Sequence, residues 1–594
     1  MWNRISVNAF FFAVLMATAA APTGAQSSSN SVDELEGLWK AQRTFTPTAR
    51  GPLIIERQGA TYVADMVGKR LNVRVDGAEL VFQLPDDQGS FRGKLQSDGD
   101  ILGHWRPPNS LSGFERIVPI VLRATSRTRW SGEVVLADDQ FTFYLLARKR
   151  PDGTMTAFLR NPQRDIGTMM GVERLVREGA TVKLMGKRRG QTQERELAVG
   201  TYSAEDSVLT LGFPSRGGSY DFRRESDESS FYPRGKAPAR YAYAGAPLAR
   251  DDGWSTATLD DVGIDRSAIE TIVRKIIDTP MESGHSLQID GILIARHGKL
   301  VLEEYFHDEH RDKLHESRSA TKTVTATVIG AAIHAGAALS MSTPVYQIMN
   351  GGAFPAGLEP QKRGMTLEHL ITMSSGYFCD DANPKAPGNE SVMIDESGAQ
   401  DFYEFTLKVP MATPPGEKAV YCSINPNLAL GVVGRATGES PLYTFDRLVG
   451  GPLQIRRYAW PFDPVGHPYG GGGVHLLPRD FMKFGQLMLD GGVWHGKRIL
   501  SADFVKRASA PLYPLGTMTY GYAWWGMDYP YKNRVVHAFA ALGNGGQNVI
   551  VIPELDMVVA VYASNYGDRV MMEIQNDLVP KQILSAVSDV TKKP

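Results

Sequence analysis

The sequence lacks any excess of charge, has almost no cysteine and, beyond its first residues, contains no long apolar run. Its 594 residues carry 64 Lys and Arg against 65 Asp and Glu, so no overall field attracts nucleic acid or an anionic membrane. Hydrophobic residues make up 42% and charged residues 22%, which are ordinary globular proportions. The composition indicates a folded protein of several domains that binds no nucleic acid and recognises its partners through local sites.

The N-terminus has the pattern of an export signal. Arg4 precedes an apolar stretch over 10–21, and the small residues at 23–25 precede a serine run. The apolar stretch is shorter than the roughly 20 residues needed to cross a bilayer, so a cleaved signal peptide over 1–25 is favoured over an uncleaved anchor. We therefore expect a periplasmic or secreted protein whose mature chain has no transmembrane span.

Cys379 and Cys422 are the only two cysteines. Export would place them where a disulfide can persist, and two unpaired buried thiols are the alternative. Since Cys422 adjoins Tyr421, a disulfide would also restrain that tyrosine.

Residues 33–224 are predicted to form an all-β domain, either a lipocalin-like barrel or a sandwich. Short alternating runs, such as those at 71–75 and 141–145, recur between turns rich in Gly, Asp and Asn. The start at Trp39 is similar to that of a lipocalin-like barrel, and a new series of strands from Trp130 makes two β units possible. The mouth of a barrel can bind a small ligand, whereas a spacer or docking module is the alternative role.

The polar stretch over 225–253 has no sustained periodicity and is predicted to be a linker. Residues 255–594 then alternate between helical and strand patterns. Apolar spacing through Ile272 and Ile276 predicts a helix, and strand-like runs occur near both ends of this segment, at 291–302 and 549–561. We expect an antiparallel sheet that carries helices from both ends of the domain.

Ser319 and Lys322 are spaced so that both side chains lie on one face of a helix. A serine hydroxyl is a poor nucleophile until a base removes its proton, and a desolvated lysine with a lowered pKa can be that base. Taken alone, Ser-x-x-Lys is a frequent coincidence at an ordinary helix start.

Further motifs accompany this pair in a fixed order. Tyr421 and Ser423 form a Tyr-x-Ser after a Pro-Pro-Gly turn, and a glycine run follows them. The segments concerned are 317–324, 367–376, 414–423, 470–474, 478–480 and 484–485.

In this order the motifs resemble the serine β-lactamase-related family of class C type, which includes penicillin-binding-protein-like hydrolases, esterases and 6-aminohexanoate-dimer hydrolase-like enzymes. The resemblance covers the chain from about residue 259 onward. It implies a β-lactamase/transpeptidase-like α/β sandwich, with Ser319 opening a central helix and forming an acyl-enzyme. Lys322 and Tyr421 would be the paired general bases, and no cofactor or metal is expected.

The family's third motif is matched by 543–547, which precede the penultimate strand. By the resemblance, the oxyanion hole consists of the backbone N–H groups of Ser319 and Gln547. Candidate substrate-binding residues are Ser423, Asn544, Gly545 and Gly546.

Two departures from the family pattern concern the substrate. Asn544 stands where many β-lactamases carry a lysine, so a cation that would bind a substrate carboxylate is missing. Ser423 replaces an asparagine that could bond to an acyl side chain. An ester or a linear amide is therefore favoured over a β-lactam.

The histidines show no metal-ligand spacing, and we assign none of them a role. An acidic pair at Asp380 and Asp381 is expected to be solvated. The histidines considered are His297, His315, His369, His467 and His475.

The leading hypothesis is an exported serine hydrolase that cleaves an ester or linear amide through an acyl-enzyme on Ser319. A D-alanyl-D-alanine carboxypeptidase or a β-lactamase is the alternative within this class. A non-catalytic ligand-binding or scaffold protein is the alternative from another class, although the intact set of Ser319, Lys322 and Tyr421 argues against it. The sequence does not indicate the oligomeric state.

Overall fold

The computed structural model describes residues 32–45, 49–108, 116–136, 140–163, 170–187, 191–237, 240–281 and 285–588. The predicted signal peptide over 1–25 lies outside these residues. Within the described ranges, none of the helices has both the length and the apolar character needed to cross a membrane.

Sixteen strands form the N-terminal half of the described chain. They are β1 (Gly37–Thr44), β2 (Gly51–Gln58), β3 (Thr61–Met66), β4 (Lys69–Asp76), β5 (Glu79–Gln83), β6 (Ser90–Leu95), β7 (Ile101–Arg106), β8 (Arg116–Ser126), β9 (Arg129–Val134), β10 (Gln140–Lys149), β11 (Met155–Arg160), β12 (Val172–Glu178), β13 (Thr181–Gly186), β14 (Arg195–Ser203), β15 (Val208–Phe213) and β16 (Gly218–Arg224).

These strands form two closed units. Strand β1 joins β10–β16 in a closed eight-stranded barrel. Strands β2–β9 form a second ring, because β9 pairs with both β2 and β8. The ring is thus inserted between the first and second strands of the barrel, and all neighbouring strands in both units are antiparallel.

Alternating burial explains why these strands close on themselves. In β13 every second residue is buried, as it is in β15, so one face of each strand fills the barrel. The barrel core includes Trp39 and a stacked pair of Phe143 and Phe213, whose ring centroids are 4.5 Å apart. The ring has its own core around Phe91 and Trp105.

The expected all-β region is confirmed, and it contains barrels rather than a sandwich. The second series of strands begins later than expected. Trp130 lies in β9, which closes the ring, and the strands that complete the barrel start at β10. Alternation predicted strands at these positions but carries no information about which distant strand each one pairs with.

The described residues of 225–253 form turns and extended chain. Two aromatic residues anchor this segment. Phe231 and Tyr243 are both buried, and the Tyr243 hydroxyl donates to the carbonyl of Val301.

The C-terminal domain contains fourteen strands and nine α-helices among the described residues. The strands are β17 (Ser255–Thr256), β18 (Ile289–Arg296), β19 (Lys299–Tyr305), β20 (His315–Glu316), β21 (Tyr458–Pro461), β22 (His475–Leu476), β23 (Val493–Trp494), β24 (Lys497–Arg498), β25 (Tyr513–Leu515), β26 (Met518–Tyr520), β27 (Trp525–Tyr531), β28 (Arg534–Gly543), β29 (Gln547–Ile552) and β30 (Met557–Ala563). The helices are α1 (Arg266–Ile277), α2 (Thr321–His334), α3 (Val345–Met349), α4 (Leu367–Ile371), α5 (Phe402–Lys408), α6 (Ile424–Thr437), α7 (Pro441–Phe445), α8 (Pro478–Leu489) and α9 (Ala502–Ala508).

A nine-stranded sheet separates two hydrophobic cores in this domain. Its strand order is β17-β19-β18-β30-β29-β28-β27-β26-β25, and only the β17–β19 pair is parallel. One core joins the sheet to α1 and the C-terminal segment, through Ile272 and Ile574. The other joins it to α2, α6 and α8, through Val328, Leu428 and Phe484. The predicted α/β sandwich with helices from both ends of the domain is confirmed.

The ring is continuous with the C-terminal domain through hydrogen-bonded strands. Strand β8 pairs with β21, where Ile117 faces Trp460. Strand β21 pairs with β22, and β22 pairs with β20, in which Glu316 lies three residues before Ser319. One sheet therefore runs from the ring to the start of α2.

A buried polar cluster joins the barrel to the same domain. Arg160, only 1% exposed, donates from Nε to the Gln288 side chain at 2.5 Å and from Nη2 to the Ser564 hydroxyl at 2.9 Å. The Asp290 carboxylate lies 3.7 Å from Nη2. Burial raises the pKa of Asp290 from 3.8 to about 6, against the opposing effect of the Arg160 charge.

This cluster generates a prediction about the pH dependence of stability. The folded state favours the protonated carboxyl, so the contribution of Asp290 is full below about pH 4 and is lost as the pH rises to about 6. Asp290→Asn has no carboxyl to ionise and avoids that loss. The free energy of unfolding of the variant minus that of wild type should therefore be larger at pH 7 than at pH 4, by on the order of 2–3 kcal/mol.

Urea denaturation at both pH values measures this difference. Asp251→Asn is the matched control, because the Asp251 side chain is 83% exposed. The prediction would be contradicted if Asp290→Asn changed the free energy of unfolding, relative to wild type, by the same amount at both pH values.

Candidate active site

Ser319 lies in a short 3-10 turn, Arg318–Ala320, that leads directly into α2. Arg318 has a φ of 49°, in the left-handed region, which is unusual for a residue with a side chain. The glycine-rich segment beside the turn holds this conformation, since Gly473 N donates to Arg318 O at 3.1 Å and Ser317 N donates to Val474 O at 2.9 Å. The turn presents the half-buried Ser319 at the N-terminus of the helix.

Lys322 lies one turn into the helix structure and points back to Ser319. Its Nζ is 3.0 Å from Ser319 Oγ and donates to the Gly471 carbonyl at 2.6 Å. The approach of Gly471 requires glycine, because a Cβ there would lie 2.3 Å from the Tyr469 hydroxyl and 2.6 Å from the Ser423 carbonyl. The predicted adjacency of Ser319 and Lys322 is thus present in the structure.

The electrostatics of Lys322 differ from the expectation of a lowered pKa. Lys322 is 1% exposed, and burial by itself would lower its pKa. Charge interactions with Tyr421, Glu390 and Asp381 outweigh burial and raise the pKa of Lys322 above its ordinary value. At neutral pH Lys322 is therefore an ammonium, which donates hydrogen bonds and accepts no proton.

Tyr421 lies on the other side of Lys322. The Lys322 Nζ is 4.9 Å from the centroid of the Tyr421 ring. Trp525 stacks on that ring with centroids 5.5 Å apart, and the edge of Tyr520 meets it at 6.4 Å. These two aromatic residues come from β27 and β26, so the sheet fixes the position of Tyr421.

A disulfide joins Cys379 to Cys422, with a Cα–Cα distance of 5.7 Å. Asp381 reinforces this connection, since its carboxylate accepts from both the backbone N and the hydroxyl of Ser423, at 2.8 and 2.6 Å. Asp381 N donates in turn to the Tyr421 carbonyl. Tyr421 and the two residues that follow it are therefore bonded to the loop that carries Cys379 and Asp381.

Two expectations about this loop are corrected. Asp381 was expected to be solvated, but it is half-buried and bonded to the residue that precedes α6. Ser423 was expected to bind substrate, but it is 1% exposed and its hydroxyl is bonded to Asp381. A motif gives the position of such a residue in the chain but not the partner that its side chain finds.

Glu390 is a second carboxyl near Lys322 that the sequence did not single out. The Tyr469 hydroxyl donates to it, and its own backbone N donates to Asp381 at 3.3 Å. Burial raises the pKa of Glu390, while the charge of Lys322 opposes that rise. It belongs to no motif at a regular spacing from Ser319, so only the tertiary structure reveals it.

The glycine-rich turn between β28 and β29 lies against the Ser319 turn. Gly543 packs so closely that a Cβ there would lie 2.4 Å from the Ser317 carbonyl. Gly545 and Gly546 have φ values of 94° and 104° and are buried. Asn544 is exposed, and its side-chain oxygen accepts from Gly567 N at 2.7 Å.

Gln547 begins β29 and is held by His315, to which no role was assigned from the sequence. His315 Nε2 donates to the Gln547 side-chain oxygen at 2.8 Å, and Gln547 donates to the Ala563 carbonyl. Burial would lower the pKa of His315, but Glu309, 4.0 Å away, raises it above its ordinary value. The His315 imidazole thus supports the first residue of this strand.

One group of side chains could in principle hold a cation. The ligand atoms of Asp401, Asp463 and His467 lie within 4.8 Å of one another. The Asp463 carboxylate already accepts from Phe402 N and His467 N, and Asp401 caps α5. These bonds account for the group as a structural cluster.

A serine at the start of a helix that packs on an antiparallel sheet, with helical layers on both faces, defines a β-lactamase-like domain. The Beta-lactamase family model matches residues 273–579, more than half of the chain, and the chain belongs to that family.

Individual relatives are distant. The chain is 25% identical over 301 residues to 6-aminohexanoate-dimer hydrolase of Paenarthrobacter ureafaciens, which covers 46% of this chain and 72% of that protein. A solved structure of a candidate 6-aminohexanoate-dimer hydrolase from Bacillus anthracis shows 17% identity and a TM-score of 0.43, covering 57% of this chain and 87% of that one. EstCE1, a hydrolase with promiscuous acyltransferase activity, shows 16% identity and a TM-score of 0.41, covering 54% of this chain and 97% of that one.

The disulfide generates a stability prediction. It closes a loop with a sequence separation of 43, for which the chain-entropy model gives a stabilisation of about 4 kcal/mol. A reductant should therefore lower the free energy of unfolding of the wild type by about 4 kcal/mol. The Cys379→Ser/Cys422→Ser variant should be equally unstable with and without reductant, and a wild type insensitive to reductant would contradict the prediction.

Glu390 generates a prediction about Lys322. Removing its charge by Glu390→Gln should lower the pKa of Lys322, because Glu390 stabilises the ammonium. A pH titration by NMR with ¹³C-labelled lysine measures this pKa, with the Lys322→Met spectrum identifying the signal. Glu396→Gln, at an exposed glutamate of the same loop, should leave the titration unchanged. An unchanged titration in Glu390→Gln would show that the carboxyl does not act on Lys322.

Proposed function

We propose that this protein is an exported serine hydrolase that cleaves an ester or linear amide bond through an acyl-enzyme on Ser319. The observation that carries the proposal is the 3.0 Å distance between Lys322 Nζ and Ser319 Oγ, at the buried start of a helix with Tyr421 alongside. A serine hydroxyl needs a nearby group that takes its proton before it can act as a nucleophile, and Tyr421 is the candidate for that role.

Tyr421 relays the proton of Ser319 in this proposal, because its hydroxyl oxygen accepts that proton as its own proton passes to the leaving group. Lys322 is an ammonium at neutral pH, so it cannot itself accept the proton. Its charge beside the Tyr421 ring stabilises the negative charge that develops on the phenol oxygen. In this proposal Lys322 positions the nucleophile and supports Tyr421 rather than accepting the proton itself.

Acylation begins with attack by Ser319 on the substrate. Ser319 Oγ bonds to the carbonyl carbon of the substrate, and the backbone N–H groups of Ser319 and Gln547 bind the resulting oxyanion. The bond to the leaving alcohol or amine breaks, and that group takes the proton from Tyr421. Water then attacks the acyl ester with Tyr421 again accepting a proton, and the carboxylic acid leaves as the proton returns to Ser319.

The substrate class is argued from the residues around Ser319. At the third motif, Asn544 is an uncharged amide that is bonded to Gly567 N. A cation at this position would favour a substrate carboxylate, and Asn544 does not supply one. The Ser423 hydroxyl is occupied by Asp381 and offers no contact to an acyl side chain. Stacked Tyr421 and Trp525 offer an apolar wall. An ester or linear amide fits these features, and the relative named for hydrolysis of the 6-aminohexanoate dimer agrees with a linear amide.

Export is proposed from the N-terminal pattern over 1–25 and from the disulfide. Disulfides persist in oxidising compartments and are rare in the bacterial cytoplasm. The mature protein would then be periplasmic or secreted.

The nucleophile is tested by intact-mass measurement after exposure to a fluorophosphonate probe. We expect a single adduct that maps to Ser319, is absent in Ser319→Ala and is retained in Ser391→Ala, the control at an exposed serine. Absence of an adduct in the wild type would favour the non-catalytic binding or scaffold protein.

The substrate class is tested separately with a nitrophenyl ester, an anilide, a chromogenic β-lactam and a D-alanyl-D-alanine peptide. Turnover of the ester or anilide that is lost in Ser319→Ala supports the proposal. Turnover of only the β-lactam or the peptide would replace the proposed substrate class with a β-lactamase or a carboxypeptidase.

A further inference from the structure

A cavity of about 530 Å³ lies between the ring and the C-terminal domain, apart from the Ser319 site. One wall is the outer face of strands β4–β8 of the ring. The other wall comes from the segment of α7, with Leu442 and Tyr443, and from the loop that carries Val465 and Gly466. The volume lies in the range of sites for small organic molecules.

The register of the ring places the polar lining in two cross-strand rows. Arg74 faces Val81, Val81 faces Arg92, and Arg92 faces His104. In the next row, Gln83 faces Ser90 and Ser90 faces Arg106. Directly opposed side chains lie about 5 Å apart, so the rows form a continuous surface.

Most of the charge in this surface is already paired. Arg74 and Arg92 form ion pairs with Asp76 and Glu79, and His104 bonds to Asp446. Arg106 differs from these arginines in having no ion pair, because no carboxylate of the described residues lies within ion-pair distance of it. Its Nη2 donates to the Pro464 carbonyl at 3.0 Å, and its guanidinium packs over the ring of Phe462. One positive charge at the cavity therefore has no ionic partner in the described chain.

Tyr443 provides a second, independent observation. This residue is 4% exposed, and its hydroxyl has no hydrogen-bond partner among the described residues, although it lines the cavity. Its ring is fixed between Lys94, whose Nζ is 4.3 Å from the ring centroid, and the imidazole of His104. A buried hydroxyl without a partner is unfavourable, so such a group in a cavity wall indicates an oxygen of a bound molecule.

We propose that this cavity binds a small organic monoanion, a carboxylate with an aliphatic body. The guanidinium of Arg106 pairs with the carboxylate, and the Tyr443 hydroxyl donates to one of its oxygens. The aliphatic part packs on Val81, Leu442 and Val465, of which Val465 is otherwise 50% exposed. The site is separate from Ser319 and does not depend on the proposed hydrolytic function.

The test is isothermal titration calorimetry of sodium octanoate into the full-length Ser319→Ala variant, so that turnover cannot contribute. We expect saturable binding to one site, and binding of 1-octanol that is weaker by about tenfold or more, since the alcohol cannot form the charged pair. Arg106→Gln should weaken octanoate binding by about tenfold. Arg127→Gln, in the exposed turn between β8 and β9 outside the cavity, should leave binding unchanged.

Tyr443→Phe, which removes one oxygen, should weaken octanoate binding severalfold. Thermal unfolding shows whether Arg106→Gln folds, and Tyr443→Phe serves as the test if it does not. The proposal is overturned if octanoate shows no saturable binding. It is equally overturned if octanoate binds but folded Arg106→Gln and Tyr443→Phe bind it as tightly as the parent protein, because octanoate would then occupy another site.

Discussion

A buried ammonium is the constraint on which the geometry of the C-terminal domain depends. Lys322 is almost fully removed from water, and an isolated charge in that position would be strongly unfavourable. The Gly471 carbonyl, the Ser319 hydroxyl and nearby negative groups offset that cost. Each comes from a different part of the chain, so the fold must bring all of them to one point before the charge is stable.

The same requirement explains the tight packing around the helix start. Glycine at 471 permits the carbonyl to approach, and glycine at 543 permits the sheet to contact the Ser317 carbonyl. The disulfide and Asp381 fix the two residues that follow Tyr421. A site built in this way is preorganised, because its donors and its aromatic wall are in place before substrate arrives.

The sequence predicted the parts of this site that are close in the chain or belong to a fixed motif order. Ser319 and Lys322 share a helical face because of their spacing. The family's motif order placed Gln547 just before the penultimate strand, which it begins in the structure. Glu390 and His315 could not be found in this way, because their roles come from contacts with distant residues. For the same reason alternation predicted the strands of the N-terminal half but not the insertion of one closed unit into the other, since pairing between remote strands leaves no local periodicity.

That insertion constrains the order in which the chain can fold. The ring can close once β9 is available, whereas β1 must wait for β10 and β16, which come after the whole ring in the chain. The sheet of the C-terminal domain has the same property, because β18 lies next to β30, its last strand. Pairings between such distant segments require costly loop closure and form slowly. During synthesis, β1 therefore keeps at least one unpaired edge until β16 has emerged, and such an edge can pair with another nascent copy.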